Sequence, residues 1–118
     1  MKRKVLAVLG GAALAVGTIS MVAAPAAAKV CTDEMSACTL FYDGYGGVTI
    51  QDTACDSTGV YGEYRRTQQS GTTQTVNNYQ GCNTSVNSGS DKVNYVYKHR
   101  AAANYTGPDS YSGWEWKP

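Results

Sequence analysis

The clearest strand signal in the chain is the stretch Lys92–His99, which reads K-V-N-Y-V-Y-K-H. Val93, Tyr95 and Tyr97 fall on one face of such a strand, because successive side chains point to opposite faces. Val96 falls on the other face. Branched and aromatic residues of this kind favour strands. The stretch therefore predicts a β-strand in the last third of the chain.

Shorter segments of the same character lie on both sides of this strand, separated by turn-forming Gly, Asn, Asp and Ser. The predicted strands are Thr39–Tyr42, Gly47–Gln51, Val60–Arg66, Thr72–Asn77, Thr84–Asn87 and Trp114–Lys117. Helix formers are scarce: after residue 28 there is one Leu, against nine Tyr and eleven Thr. The run Ala101–Ala103 is too short for a helix and leads into turn residues. Short strands with Gly-rich turns are typical of an all-β sandwich or small barrel.

The first 28 residues have the form of a secretory signal. Lys2–Lys4 forms a basic start, residues 5–22 carry no charge, and Ala26–Ala28 provides a small-residue cleavage site. A membrane anchor is the alternative, but the Ala/Gly-rich composition and the cleavage site favour removal. We therefore predict a bacterial-type leader over 1–28 and a secreted domain, without a membrane segment, over 29–118.

The charge balance of the secreted part excludes one class of partner. The whole chain has 10 Lys and Arg against 9 Asp and Glu, and the leader removes three basic residues and no acidic one. A slightly acidic domain lacks the basic face that general nucleic-acid binding needs. It is also too short for a cofactor-binding α/β enzyme. We expect a monomer with no nucleic-acid partner and no cofactor.

The four cysteines are Cys31, Cys38, Cys55 and Cys82. In a small exported domain this number predicts two disulfides, and three pairings can be drawn. A zinc site is the alternative, but the chain has no C-x-x-C and only one histidine. Each disulfide would contribute about 2–4 kcal/mol to stability.

A local pattern recurs four times: a turn residue, a tyrosine, any residue and a glycine. The copies are Gly44–Gly47, Asn78–Gly81, Asn104–Gly107 and Ser110–Gly113. Glycine accepts a positive φ where the chain folds back. The pattern predicts tight corners between strands.

Two of these corners follow a strand that ends in aromatic residues, at Cys38–Gly47 and Val93–Gly107. This arrangement resembles the Greek-key motif of βγ-crystallin-like small secreted bacterial proteins, which include metalloproteinase inhibitors and killer-toxin-like proteins. Thr84–Asn87 is also similar to a Ser-Ser-Val-x-Asn segment of those inhibitors. The resemblance implies a disulfide-stapled Greek-key sandwich that inhibits an extracellular peptidase, with a secreted antimicrobial protein as the alternative. The calcium-binding segments of that family are incomplete at Gln80–Ser85 and Ser90–Tyr95, so we predict no metal site.

No catalytic set emerges from the sequence. His99 is the single histidine, and we expect a solvent-exposed turn residue because Lys98 and Arg100 flank it. The acidic residues are scattered, and the cysteines are expected to be bridged. The sequence therefore predicts a binding protein and not an enzyme.

Two segments are candidates for an inhibitory loop. One is the polar stretch Gln68–Thr73, which includes Gln69, Ser70 and Gly71. The other is Cys31–Cys38. A rigid, exposed loop lowers the ordering cost of binding. We predict that 68–73, like Asn87–Ser90, is an exposed loop.

A third binding hypothesis rests on Trp114 and Trp116, which fall on one side of the last predicted strand. Their rings could stack on sugars, and we favour core packing for at least one of them. Lys98–Arg100 and Arg65–Arg66 form a candidate basic patch. If this patch binds a partner, an anionic cell-wall polymer or an acidic protein surface fits best.

Overall fold

The computed structural model describes residues 28–105 and 107–118. The leader predicted over 1–28 lies outside the described residues, apart from Ala28. The strands are β1 (Val30–Cys31), β2 (Ala37–Tyr42), β3 (Gly47–Asp52), β4 (Gly59–Arg66), β5 (Gln69–Asn78), β6 (Thr84–Asn87), β7 (Val96–Asn104), β8 (Ser110–Tyr111) and β9 (Glu115–Trp116).

These strands form two antiparallel sheets. The four-stranded sheet has the order β1-β2-β3-β6. The five-stranded sheet has the order β9-β7-β4-β5, and β8 also pairs with β7. The prediction of an all-β protein is confirmed. Residues 28–105 and 107–118 contain no helix long and apolar enough to cross a membrane.

Most of the predicted strands are present, but the strongest one is displaced. It begins at Val96 and not at Lys92, and it runs through the three alanines to Asn104. The Asp91 carboxylate accepts hydrogen bonds from the backbone N–H groups of Val93 and Asn94, which turns the chain before Val96. The alanines remain extended because their small side chains are fully buried in the sheet.

The prediction of a loop over Gln68–Thr73 is wrong. Thr67 and Gln68 form a tight turn, and Gln69 already begins β5. The segment is nevertheless solvent-exposed, because β5 is an edge strand and its first five residues are all exposed. Residues 88–90 do form a loop, although Ser88 is buried and accepts a hydrogen bond from the N–H of Val48.

The core lies between the two sheets and is unusually light in large aliphatic residues. Its members are Ala37, Phe41, Val48, Ile50, Val60, Tyr64, Val96, Ala101 and Ala103. The sheets approach most closely at Gly62, where an added Cβ would lie 2.6 Å from Ile50 Cγ1 and 2.9 Å from Thr39 Cγ2. Small side chains on β4 and β7 therefore allow the two sheets to pack tightly.

The disulfides are Cys31–Cys38 and Cys55–Cys82. The first joins facing residues of β1 and β2. The second ties the segment after β3 to the segment before β6. This selects one of the three pairings that the sequence left open. Two such bridges are compatible with an extracellular protein.

The prediction for His99 is wrong, since this residue is fully buried in the middle of β7. Its Nδ1 lies 2.7 Å from Thr39 Oγ1, and its Nε2 lies 3.1 Å from the carbonyl oxygen of Ala28. A carbonyl only accepts, so Nε2 carries the proton and Nδ1 accepts from the threonine. The ring also packs edge-on against Phe41. His99 faces inward because the strand places alternate residues between the sheets.

Of the four Tyr-x-Gly segments, the first contains a hydrogen-bonded turn at residues 43–46, and the described residues of the others are strand, bend or irregular. Gly81 and Gly107 have positive φ values of 102° and 96°. In the first corner the positive φ falls instead on Asp43, Gly44 and Tyr45. The repeat therefore does not represent one repeated backbone geometry.

Candidate functional site

The outer face of the five-stranded sheet collects three of the five residues of the predicted basic patch. In the pairing of β4 with β7, Arg65 lies opposite Lys98, and Glu63 lies opposite Arg100. Their side chains point away from the core. Arg66, like His99, points inward and is buried. The alternation of strand side chains thus divides each predicted basic run between the two faces.

The C-terminal strand brings both tryptophans onto this outer face. Trp116 pairs with Lys98 across β9 and β7. The Lys98 Nζ lies 4.4 Å from the Trp114 ring centroid and 4.6 Å from that of Trp116. Arg100 Cζ lies 4.7 Å from the Trp114 ring, and Arg65 Cζ lies 5.9 Å from it. These distances are within the range of cation–π attraction. We call these five residues the cation–aromatic face.

Positive charge on this face is only partly neutralised. Glu63 Oε1 accepts hydrogen bonds from Arg100 at 2.7 Å and forms its ion pair. Within the described residues the one other ion pair joins Lys92 to Asp43, so Arg65 and Lys98 have no carboxylate within 4.0 Å. Burial lowers the pKa of Lys98, and the charges of Arg65 and Arg100 lower it further. An anion placed here would relieve that repulsion.

A row of aromatic side chains extends the face along β7. Trp116 lies opposite Lys98, and Tyr111 lies opposite Ala102. These two positions are four strand residues apart, or about 13 Å at the usual rise per residue. Trp114 lies between them, over Arg100. The row is therefore longer than a single sugar ring.

The structure corrects the expectation that a tryptophan packs in the core. Neither tryptophan belongs to the cluster between the sheets. Trp114 is half-buried against the outside of the sheet, and Trp116 is 56% exposed. The prediction that both fall on one side of a strand is confirmed, because the same lysine contacts both rings.

The predicted loop residues adjoin this face. Between Tyr64 and Arg66 the register of β4 and β5 shifts, and residues 70–73 bulge outward. The carbonyl oxygen of Ser70 accepts hydrogen bonds from the Tyr97 hydroxyl at 2.6 Å and from Arg65 Nη1 at 3.3 Å. Arg65 Nε also donates to Thr73 Oγ1 at 3.0 Å.

Gln69, Ser70 and Gly71 are therefore exposed and braced next to the tryptophans. The Gln69 side chain accepts a hydrogen bond from Asn94 Nδ2 at 2.7 Å. Tyr97 connects the two regions, since its ring centroid lies 5.8 Å from that of Trp116. The sequence analysis did not place Tyr97 at this contact between the two regions. Its position next to Lys98 in the same strand could have suggested it.

The histidine and the cysteines of the chain lie away from the cation–aromatic face. Among residues 28–105 and 107–118, no three His, Cys, Asp or Glu side chains come together as a metal site. The one histidine is enclosed between the sheets, and all four cysteines are bridged. The cation–aromatic face offers ring surfaces and unpaired positive charge, which together bind ligands that carry both apolar faces and anionic groups.

Comparison of the chain with protein-family models, with curated proteins and with solved structures finds no match.

Proposed function

We propose that this chain is an extracellular binding protein, and that its cation–aromatic face binds a cell-wall polysaccharide that carries acidic groups. The observation that supports this is the position of Lys98 between two tryptophans, beside Arg65 and Arg100. Of these three cations, only Arg100 forms an ion pair within the described residues. Tryptophan rings stack on the apolar faces of sugars, and the cations attract the acidic groups.

The proposal is tested with polygalacturonate, an acidic sugar polymer, and with dextran, a neutral one. Tryptophan fluorescence follows the titration, because Trp116 is exposed and its environment changes when a ring stacks on it. We expect saturable binding of polygalacturonate that weakens as salt is added, and at least tenfold weaker binding of dextran. Equal binding of both polymers, or of neither, contradicts the proposal.

Two variants identify the surface. Trp116→Ala and Lys98→Gln should each weaken polygalacturonate binding severalfold without unfolding the domain, since both side chains lie on the outer face. Lys92→Gln is the matched control, because it removes the same charge from an exposed lysine that pairs with Asp43 in a loop outside the face. If Lys92→Gln weakens binding as much as Lys98→Gln, the effect is one of net charge and not of this face.

A second candidate function is inhibition of an extracellular peptidase through residues 69–73. The observation that favours it is the bracing of Ser70 by Tyr97 and Arg65. An exposed backbone segment held in one conformation loses little entropy when it enters an enzyme cleft.

Inhibition assays with secreted metallo- and serine peptidases test this function. We expect the wild-type chain to inhibit at least one of them, and Tyr97→Phe, which removes only the hydroxyl, to inhibit it severalfold less. Rapid cleavage of the segment without inhibition would contradict the candidate.

We also propose that the sandwich has the Greek-key arrangement of βγ-crystallin-like proteins. The support is that the chain crosses between the sheets from β3 to β4, from β5 to β6 and from β6 to β7. NMR distance restraints across the β3–β6 and β4–β7 pairs test it. Pairing of β6 with β5, in place of β3, would contradict it.

A further inference from the structure

A second concave surface lies at the end of the sandwich where β4 begins. It is a cleft of about 540 Å³. Asp52, Asp56 and Gly59 contribute one rim, Tyr79 and Gly81 the other, and Tyr105 also lines it. Neither proposed function uses this cleft.

The Cys55–Cys82 disulfide connects the two rims. Cys55 immediately precedes Asp56, and Cys82 immediately follows Gly81. This bond limits how far residues 56 and 81 can separate, so part of the cleft is preorganised.

Asp52 gives the cleft a buried carboxylate with one oxygen that lacks a hydrogen-bond donor among the described residues. Asp52 lines this cleft and a smaller neighbouring cavity, and the residue is only 4% exposed. Oδ1 accepts a hydrogen bond from the N–H of Ala54 at 3.3 Å. Among the described residues no group donates to Oδ2. An unpaired oxygen on a buried carboxylate is costly, so a bound donor would stabilise it.

The rest of the lining favours a positive ligand. Asp56 supplies a second carboxylate, and its Oδ1 accepts from the N–H of Thr58 at 3.0 Å. Tyr79, which is 80% exposed, and Tyr105 supply aromatic rings. Aromatic faces attract cations. No Lys, Arg or His is part of this lining as far as the structure describes it.

We propose that this cleft binds a primary ammonium group, which donates to Asp52 Oδ2 and lies between the rings of Tyr79 and Tyr105. A guanidinium fits less well, because its paired donors need both carboxylate oxygens, and Oδ1 is already engaged. A quaternary ammonium has no proton to donate and would leave Oδ2 unpaired. The ligand is therefore a lysine-type side chain or an amino sugar, which share this group.

Two small probes separate these sources. Nα-acetyl-lysine methylamide presents the ammonium on a flexible chain, and glucosamine presents it on a sugar ring. Each is titrated into ¹⁵N-labelled full-length domain while amide chemical shifts are recorded, and the diacetylated lysine and N-acetylglucosamine serve as uncharged partners. We expect saturable shifts at residues 52–59 and 78–81 with at least one charged probe, and at least tenfold weaker binding of its acetylated form. The probe that binds more tightly shows whether the ligand is a lysine-type side chain or an amino sugar.

The variant Asp52→Asn keeps the shape and the bond to Ala54 but removes the charge, and it should weaken binding at least tenfold. Asp43→Asn is the control, because it removes an exposed carboxylate from a turn that does not line the cleft. Tyr79→Ala, at an exposed position, gives a second test if Asp52→Asn unfolds, and it should weaken binding severalfold. The proposal is overturned if neither charged probe saturates, if the acetylated probes bind equally, or if Asp52→Asn and Asp43→Asn have the same effect. None of these outcomes depends on polysaccharide or peptidase binding.

Discussion

The two faces of the five-stranded sheet are built mainly from the same two strands, but one face packs in the core and the other is exposed to solvent. On β4 and β7, alternate residues point inward and pack against the smaller sheet, while their neighbours point outward and form the cation–aromatic face. Arg65 and Arg66 show the contrast most directly. Arg65 contacts a tryptophan and the bulge at residues 70–73, whereas Arg66 is buried.

The role of a basic residue in this chain therefore depends on which face of the strand it occupies, and not on its residue type. Arg66 donates to the carbonyl oxygens of Gly46 and Asn94 at 2.8 and 2.9 Å, and to that of Gly89 at 2.9 Å. It thereby holds the β2–β3 turn against the connection between β6 and β7 at one end of the sandwich. The inner face should govern stability, and the outer face should govern binding. The following substitutions test that division.

The largest effect is expected for Arg66→Met. This change keeps much of the side-chain length but removes three hydrogen bonds from a buried cation, which should cost about 4 kcal/mol. The Asn94 carbonyl oxygen loses its donor, whereas Gly46 and Gly89 still accept from Asp91 N–H and Ser88 Oγ. Arg65→Met is the matched control and should cost less than about 1 kcal/mol, because Arg65 is on the outer face. Urea denaturation measures both. Equal losses would show that the two faces do not differ in the way we infer.

Acid should destabilise the inner face through His99. Burial lowers the pKa of His99 from 6.5 to about 4 in the folded protein. Between these pH values His99 is protonated in the unfolded chain but neutral in the folded protein. The free energy of unfolding therefore falls as the pH drops from about 6.5 to about 4. The loss should reach about 3 kcal/mol. In His99→Gln the unfolding free energy should be nearly flat across this window. The carboxyl pKa values of Glu34 and Asp43 are lowered by hydrogen bonds, so their contribution is lost only at still lower pH.

A single methyl group at Gly62 should cost about 2 kcal/mol, because it would collide with Ile50 and Thr39 where the sheets are closest. Gly59→Ala is the control on the same strand. Its added Cβ would meet only a tyrosine ring atom, Tyr79 Cε1, at 4.0 Å, so stability should change by less than about 0.5 kcal/mol. The thermal unfolding midpoints of the two variants compare a position between the sheets, Gly62, with a position outside the close contact, Gly59. A Gly62→Ala protein as stable as wild type would contradict the close approach.

The smallest change in stability is expected for Glu63→Gln on the outer face. It removes the partner of Arg100, and a partly exposed pair of this kind contributes about 1 kcal/mol. It also removes the carboxylate that neutralises Arg100, so polygalacturonate binding should strengthen severalfold. Weaker binding by this variant would mean that Glu63 positions Arg100 for the ligand and does not merely offset its charge.

Local sequence patterns predicted the strands well, because alternation and turn residues act within a few residues of each other. Gly47–Gln51 and Thr84–Asn87 were predicted within one residue of their observed bounds. The start of β7 was predicted too early, because the Asp91 side chain competes for the backbone N–H groups of Val93 and Asn94. The buried position of His99 could have been found by applying the same alternation to Lys98–Arg100.

The candidate sites depended on contacts that no local pattern contains. Tyr97 meets Ser70, which is 27 residues away in sequence, only because β4 lies between β5 and β7. The Arg65–Ser70 contact, by contrast, is local to the β4–β5 hairpin. The cleft near Asp52 exists because segments about 25 residues apart are joined by one disulfide, whose sequence separation is 27. The pairing of the cysteines could not be read from their spacing, since all three pairings satisfy it.

By itself, the sequence determined that this chain is rich in strands, that its cysteines could be bridged, and that both tryptophans lie near the C-terminus. Only the tertiary structure decided which cysteines pair, which arginine is buried, and which side chains share a surface. The physical reason is that secondary structure follows from interactions between neighbours along the chain. Sites are made by residues that are distant in sequence and are brought together by sheet pairing and packing.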